Sequence, residues 1–175
     1  MRTKALLVFI MFIGLLAASC TKEAVQDKSK AHAKDSAECN KQIAKSIVHT
    51  AAIMIQEMAK GNPNEKDVIL LIRRAIDSVR FYQDGSGYFY VYDDKCVNIA
   101  HAMQKDLEGK DLTNYKDTKG KFVIQELAQA ASKGGGFVEF YWRKPGDTTR
   151  EIRKMGYVEP IHGTRFFIGS GIYMD

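Results

Sequence analysis

The first pattern along the chain is an unbroken apolar run, Ala5 to Ala18, set behind Arg2 and Lys4 and ending in Leu16-Ala17-Ala18-Ser19-Cys20. A membrane-spanning helix needs about 20 apolar residues and the core of an export signal about 7–15. Length therefore makes residues 1–19 a signal segment. In residues 20–38 Val25 is the one large apolar side chain, which predicts a flexible tether. From Cys39 to Lys60, apolar residues at 43, 47, 48, 51, 54, 55 and 58 form a helical stripe. Gly61-Asn62-Pro63-Asn64 ends that helix, and Asn64 with Glu65 and Asp67 caps a second one. Its stripe is Val68, Leu71, Ile72, Ala75, Ile76 and Val79.

After Gly85-Ser86-Gly87 the pattern changes to aromatic and β-branched residues with a period of two. Strands are predicted at Tyr88–Tyr92, Cys96–Ala102, Phe137–Trp142, Arg153–Glu159 and Arg165–Tyr173, and a helix at Phe122–Ser132. Residues 103–121 read as a long connection with a short helical piece. The order α-α-β-β-α-β-β-β, closing on consecutive hairpins, requires an antiparallel sheet and an α+β architecture.

Composition then narrows the function. The 175 residues carry 26 Lys+Arg against 21 Asp+Glu, a formal charge of +5 and a pI near 9.0. Removal of residues 1–19 takes Arg2 and Lys4 and no acid, which lowers the charge to +3. The remaining cations are interleaved with acids, so no nucleic-acid footprint is left. No G-x-S-x-G, H-E-x-x-H or Walker loop occurs, and Gly134-Gly135-Gly136 follows a helix instead of opening one, so no catalytic class is indicated. No metal ligand set and no cofactor motif is predicted. Cys39 and Cys96 form an even pair in an exported chain, which leaves a disulfide or two separate thiols open.

Two resemblances add to this. Leu16-Ala17-Ala18-Ser19-Cys20 resembles the lipobox of bacterial lipoproteins, which implies that Cys20 is lipidated and holds the protein at a membrane surface. Thr21 in place of Asp implies the outer membrane if the host is Gram-negative. Residues 80–175 resemble the single Cache domain, type 2, a PAS-like extracellular sensor module of chemoreceptors and histidine kinases. The matching stretches are Gly87-Tyr88-Phe89-Tyr90-Val91, His101, Leu107-Glu108-Gly109-Lys110-Asp111-Leu112, Asp117-Thr118-Lys119-Gly120, Gly135 to Gly146, Lys154 to Val158 and Ile168 to Tyr173. Ala102 stands where the family commonly has Pro. The implied organisation is a signal at 1–19, a tether at 20–38 and the Cache domain at 39–175, with helices at 39–80 and a five-stranded sheet at 81–175.

The resemblance implies a small organic ligand, often a short carboxylate, held between the sheet and the connection from the second to the third strand. It makes Lys154 the partner of the carboxylate; the plain alternative is a solvated strand-edge lysine. Tyr88, Tyr90 and Tyr92 share one sheet face by alternation, as a pocket wall or as an aromatic core. His101 either donates to the ligand and gates affinity by pH, or ties the loop down. Tyr141, Trp142 and Tyr157 are secondary candidates, and strand parity cannot turn both Tyr141 and Trp142 inwards. Because the chain ends at Asp175, directly after the last strand, the sensor reading implies a separate membrane partner protein, and a homodimer through the first helix is compatible with it. A structural or adaptor envelope lipoprotein with a vestigial pocket remains the other reading.

Overall fold

The computed structural model describes residues 36–62, 64–147 and 149–174, so the signal segment and Cys20 lie outside the described residues, as does most of the tether. Helix α1 covers 36–59, and its inner face is Ala44, Val48, Ala52 and Ile55. Gly61, at φ +78°, turns the chain out of it. Helix α2, Glu65–Asp77, starts at the predicted cap: the Asn64 side chain accepts from the Lys66 N–H, and Glu65 and Asp67 occupy the first turn. It buries Val68, Ile72 and Ile76 and ends at Asp77, three residues before the predicted limit of the helices at 80.

Five strands follow: β1 Tyr90–Asp93, β2 Asn98–His101, β3 Gly136–Arg143, β4 Glu151–Pro160 and β5 Phe166–Tyr173. Between β2 and β3 lie a short 3₁₀ turn, Lys105–Leu107, and helix α3, Val123–Ser132. The sheet is antiparallel throughout, in the order β2-β1-β5-β4-β3. The α+β fold expected from the pattern is the fold observed. The last strand is therefore the central one, flanked by β1 and β4, and it is buried along nearly its whole length.

Alternation gives the sheet two different faces. Phe89 turns towards α1 and α2, where it lines an apolar groove with Ile47, Met54, Ile55, Ile76 and Val79. Tyr88, Tyr90 and Tyr92 turn the other way, towards Val123, Ile124 and Leu127 of α3. The β2–β3 connection is organised by Asp117, whose carboxylate accepts from the N–H groups of Lys119, Lys121 and Tyr141 at 2.9–3.0 Å. Burial by itself would raise the pKa of Asp117, but these three donors outweigh it and hold the carboxyl below its usual value.

Candidate functional site

The face covered by α3 carries a cluster of polar side chains that the core does not require. Tyr88, Tyr90, Tyr92, His101, Trp142 and Lys154 converge there, walled by Val123, Ile124, Leu127 and Phe140. The free space they enclose is about 10 Å³, room for about one water.

Lys154 is the chemically decisive member. It sits on β4 opposite Phe140 of β3 and Tyr173 of β5, and only 1% of its surface is exposed. Its Nζ lies 4.0 Å from the centre of the Tyr88 ring, 4.7 Å from that of Tyr173 and 5.5 Å from that of Tyr90. The ammonium is thus solvated by aromatic faces. Burial pushes its pKa down to about 7. The solvated strand-edge alternative for Lys154 does not hold.

The tyrosine hydroxyls are only partly available. Tyr173 donates to the Arg143 carbonyl at 2.5 Å, and the Tyr88 hydroxyl lies 3.1 Å from that of Tyr173. One proton in that pair is thereby committed, so Tyr88 donates to Tyr173. Tyr90 reaches the Ser170 carbonyl only at 3.4 Å. Room for the Tyr90 ring comes from Gly169 and Gly156: a Cβ on Gly169 would meet the ring at 2.5 Å, and one on Gly156 would meet the hydroxyl at 2.9 Å.

His101 ties the loop down, and its ring also faces the site. Its Nδ1 accepts from the N–H groups of Gln104 at 2.8 Å and Met103 at 3.2 Å, which ties down the start of the connection and leaves the ring proton on Nε2. The ring itself packs between Tyr88, Tyr90 and Trp142 in the site. Burial first, then the charges of Lys154, Lys105 and Arg80, push its pKa down to about 3. His101 is therefore neutral near pH 7, and the expectation that it gates affinity by pH is corrected: the group poised near neutrality is Lys154.

Parity resolves the remaining candidates. Trp142 points into the site and donates through Nε1 to Gln104 Oε1 at 2.8 Å. Tyr141 and Tyr157 fall on the opposite sheet face, Tyr141 half-buried beside Lys119 and Tyr157 against Phe137. Neither lines the site, because each is an odd number of residues from the neighbour that does, Trp142 or Lys154. Gln104, Phe140 and Tyr173 were missed as site residues. Tyr173 and Phe140 become visible only once the strands are paired, and no sequence signal separates Gln104 from other loop glutamines. Cys39 is exposed and Cys96 is buried, both as free thiols, so the disulfide weighed for them is absent here. His49 is an exposed residue 2.7 Å from Glu159, and His162 is exposed in a turn. Among the described residues no group of three His, Cys, Asp or Glu is arranged to hold a metal, and no helix is long and apolar enough to cross a membrane.

A half-covered antiparallel sheet with a small polar pocket under a helix-bearing connection defines a PAS-like ligand-sensing module. Comparison with known proteins makes this specific. The Cache domain family model matches residues 19–175, and the chain belongs to that family. The sensor histidine kinase MctS of Rhizobium johnstonii is 35% identical over 89 residues, 51% of this chain and 19% of that protein. The methyl-accepting chemotaxis protein McpP of Pseudomonas putida is 30% identical over 105 residues, 59% of this chain and 19% of that protein. The chain thus spans about a fifth of the length of these relatives. Among solved structures, a methyl-accepting chemotaxis protein from Vibrio parahaemolyticus superposes with a TM-score of 0.72 at 30% identity, covering 81% of this chain and 93% of that one. A Cache chemosensory domain solved to explain carboxylic acid recognition gives 0.70 at 28% identity, covering 81% and 98%. These relatives are sensor domains of receptors.

Proposed function

We propose that this protein is an exported, lipid-anchored Cache sensor that binds a short carboxylate and passes the bound state to a separate membrane signalling protein. One observation carries the ligand class. Lys154 is a buried cation ringed by aromatic faces, with no carboxylate paired to it among the described residues. Such a cation is costly unless an anion pairs with it, and a carboxylate supplies that charge. Tyr88, Tyr90, His101 and Trp142 orient the ligand, with the His101 Nε2–H as a donor towards it and the Val123–Leu127 wall taking a short alkyl tail. Recognition of carboxylic acids by the Cache domain noted above supports the same class.

Calorimetric titration of the full chain with acetate, propionate, pyruvate and lactate tests the reading. At least one should bind, and Lys154→Met should lose that binding while remaining folded. Absence of any heat or thermal stabilisation across the set would favour the adaptor lipoprotein instead. Lipidation rests on residues 16–20: mass spectrometry of the N-terminal peptide should find Cys20 acylated, and Cys20→Ser should move the protein to the soluble fraction. Pairing of two copies through the exposed Ile43, Ile53, Met54 and Met58 of α1 is the self-association this reading favours.

A further inference from the structure

Asn98 is fully buried, and among the described residues neither its Oδ1 nor its Nδ2 has a hydrogen-bond partner. A buried amide without a well-formed hydrogen bond is destabilising and calls for a function. Plain alternation along β2 would turn Asn98 away from His101. The register does not follow that rule. Tyr90 pairs with His101 and Val91 with Ala100, but Tyr92 pairs with Asn98, so Ile99 is the extra residue of a bulge. The bulge returns Asn98 to the face of Tyr90, Tyr92 and His101. Its nearest polar group is the Tyr92 hydroxyl, which it stabilises weakly from beyond normal hydrogen-bond geometry. Tyr92 lines the pocket, and its ring centre is 5.9 Å from that of Tyr90.

The sheet face that carries the pocket therefore has two polar groups along it. One is Lys154, in the pocket lining beside Tyr88 and Tyr173. The other is the Asn98 amide, opposite Tyr92 and next to the lining, about 7 Å along the strand direction from His101. We infer that Asn98 is a specificity-determining residue that hydrogen-bonds a second, neutral oxygen function on the ligand. The preferred ligand is then a carboxylate bearing an oxo or hydroxyl group several carbons from the carboxylate, and a plain alkanoate fits less well. An amide both donates and accepts, so either a ketone or an alcohol satisfies it. A ligand lacking that group leaves the amide orphaned.

This inference rests on the proposed carboxylate site, and the test separates the two. The full chain is titrated with valerate, 4-oxopentanoate and 5-hydroxypentanoate, with acetate and propionate alongside. The wild type should bind at least one substituted acid about tenfold or more tightly than valerate. Asn98→Leu should abolish that preference, keep the valerate affinity and raise the melting temperature of the free protein, because the orphaned amide is gone. Asn98→Thr keeps a hydroxyl on a strand-compatible side chain and should retain part of the preference, so it carries the test if the Leu variant does not fold. Equal affinity of the wild type for all three acids would overturn the assignment, as would equal weakening of all three by Asn98→Leu or an unchanged preference in that variant. Binding of acetate or propionate alone would overturn it while leaving the carboxylate site intact, and no binding of any acid would sink both.

Discussion

At the residue scale the chemistry turns on one lysine. In the unfolded chain Lys154 titrates near the ordinary lysine value of about 10.4, and folding lowers it to about 7. Between those values the unfolded chain holds a proton that the folded one lacks, so stability rises with pH across that window. Below about pH 7 the cost of burying the cation is present in full. Chemical denaturation of the free protein at pH 6 and pH 9 should show the higher stability at pH 9. On the proposed reading a carboxylate pairs with protonated Lys154, so its affinity should fall about tenfold per pH unit above pH 7. Titrations in buffers of different ionisation heat should then register proton uptake, and Lys154→Met should abolish the uptake. Gly169 gives a second prediction. Its absent Cβ makes way for the Tyr90 ring, so Gly169→Ala should cost about 1–3 kcal/mol and remove ligand binding, as read by melting temperature and titration.

At the scale of elements, the connection that covers the site is also fastened to α2. Arg73 Nε donates to the Ile99 carbonyl at 2.9 Å and lies 3.2 Å from Glu108. Arg80 donates to the Ala102 carbonyl at 2.8 Å, and Lys105 pairs with Asp77 at 2.6 Å. The residues so held flank His101 and Gln104, which touch the pocket or its tryptophan. A ligand that shifts the connection therefore pulls on α2. Hydrogen exchange in α2 should slow on ligand binding, and Glu108→Ala should weaken that response more than it weakens affinity. Asp117 organises the far part of the same connection with three backbone donors. Asp117→Ala should cost about 2–3 kcal/mol, measured by urea denaturation.

At the scale of the whole molecule, the volume sets the kinetics. A pocket with about 10 Å³ of free space does not admit a four-atom acid without movement of α3 or of the connection. Binding therefore includes an opening step. Trp142 is the single tryptophan of the chain and lies in the pocket, so its fluorescence should change on binding. In stopped flow the observed rate should level off at high ligand concentration, at the rate of opening, whereas a linear rise would show a pocket already open.

Much of this was legible in the residues. Stripes spaced at three and four defined α1 and α2, because helical periodicity is local, and the Asn64 cap was written in the sequence for the same reason. Period-two alternation put Tyr88, Tyr90 and Tyr92 on one face and Phe89 on the other. Parity also required that one of Tyr141 and Trp142 be excluded, although it could not choose between them. The family motif drew attention to Lys154. Tertiary structure decided the rest, for a physical reason common to every case: the outcome depended on which strands pair and in what register. The final strand became the centre of the sheet by inserting between β1 and β4, which brought Tyr173 over Lys154. Burial, set by α3 and the neighbouring strands, moved the titrating group from His101 to Lys154. A one-residue bulge in β2, which no local pattern records, turned Asn98 onto the face of Tyr92 and His101.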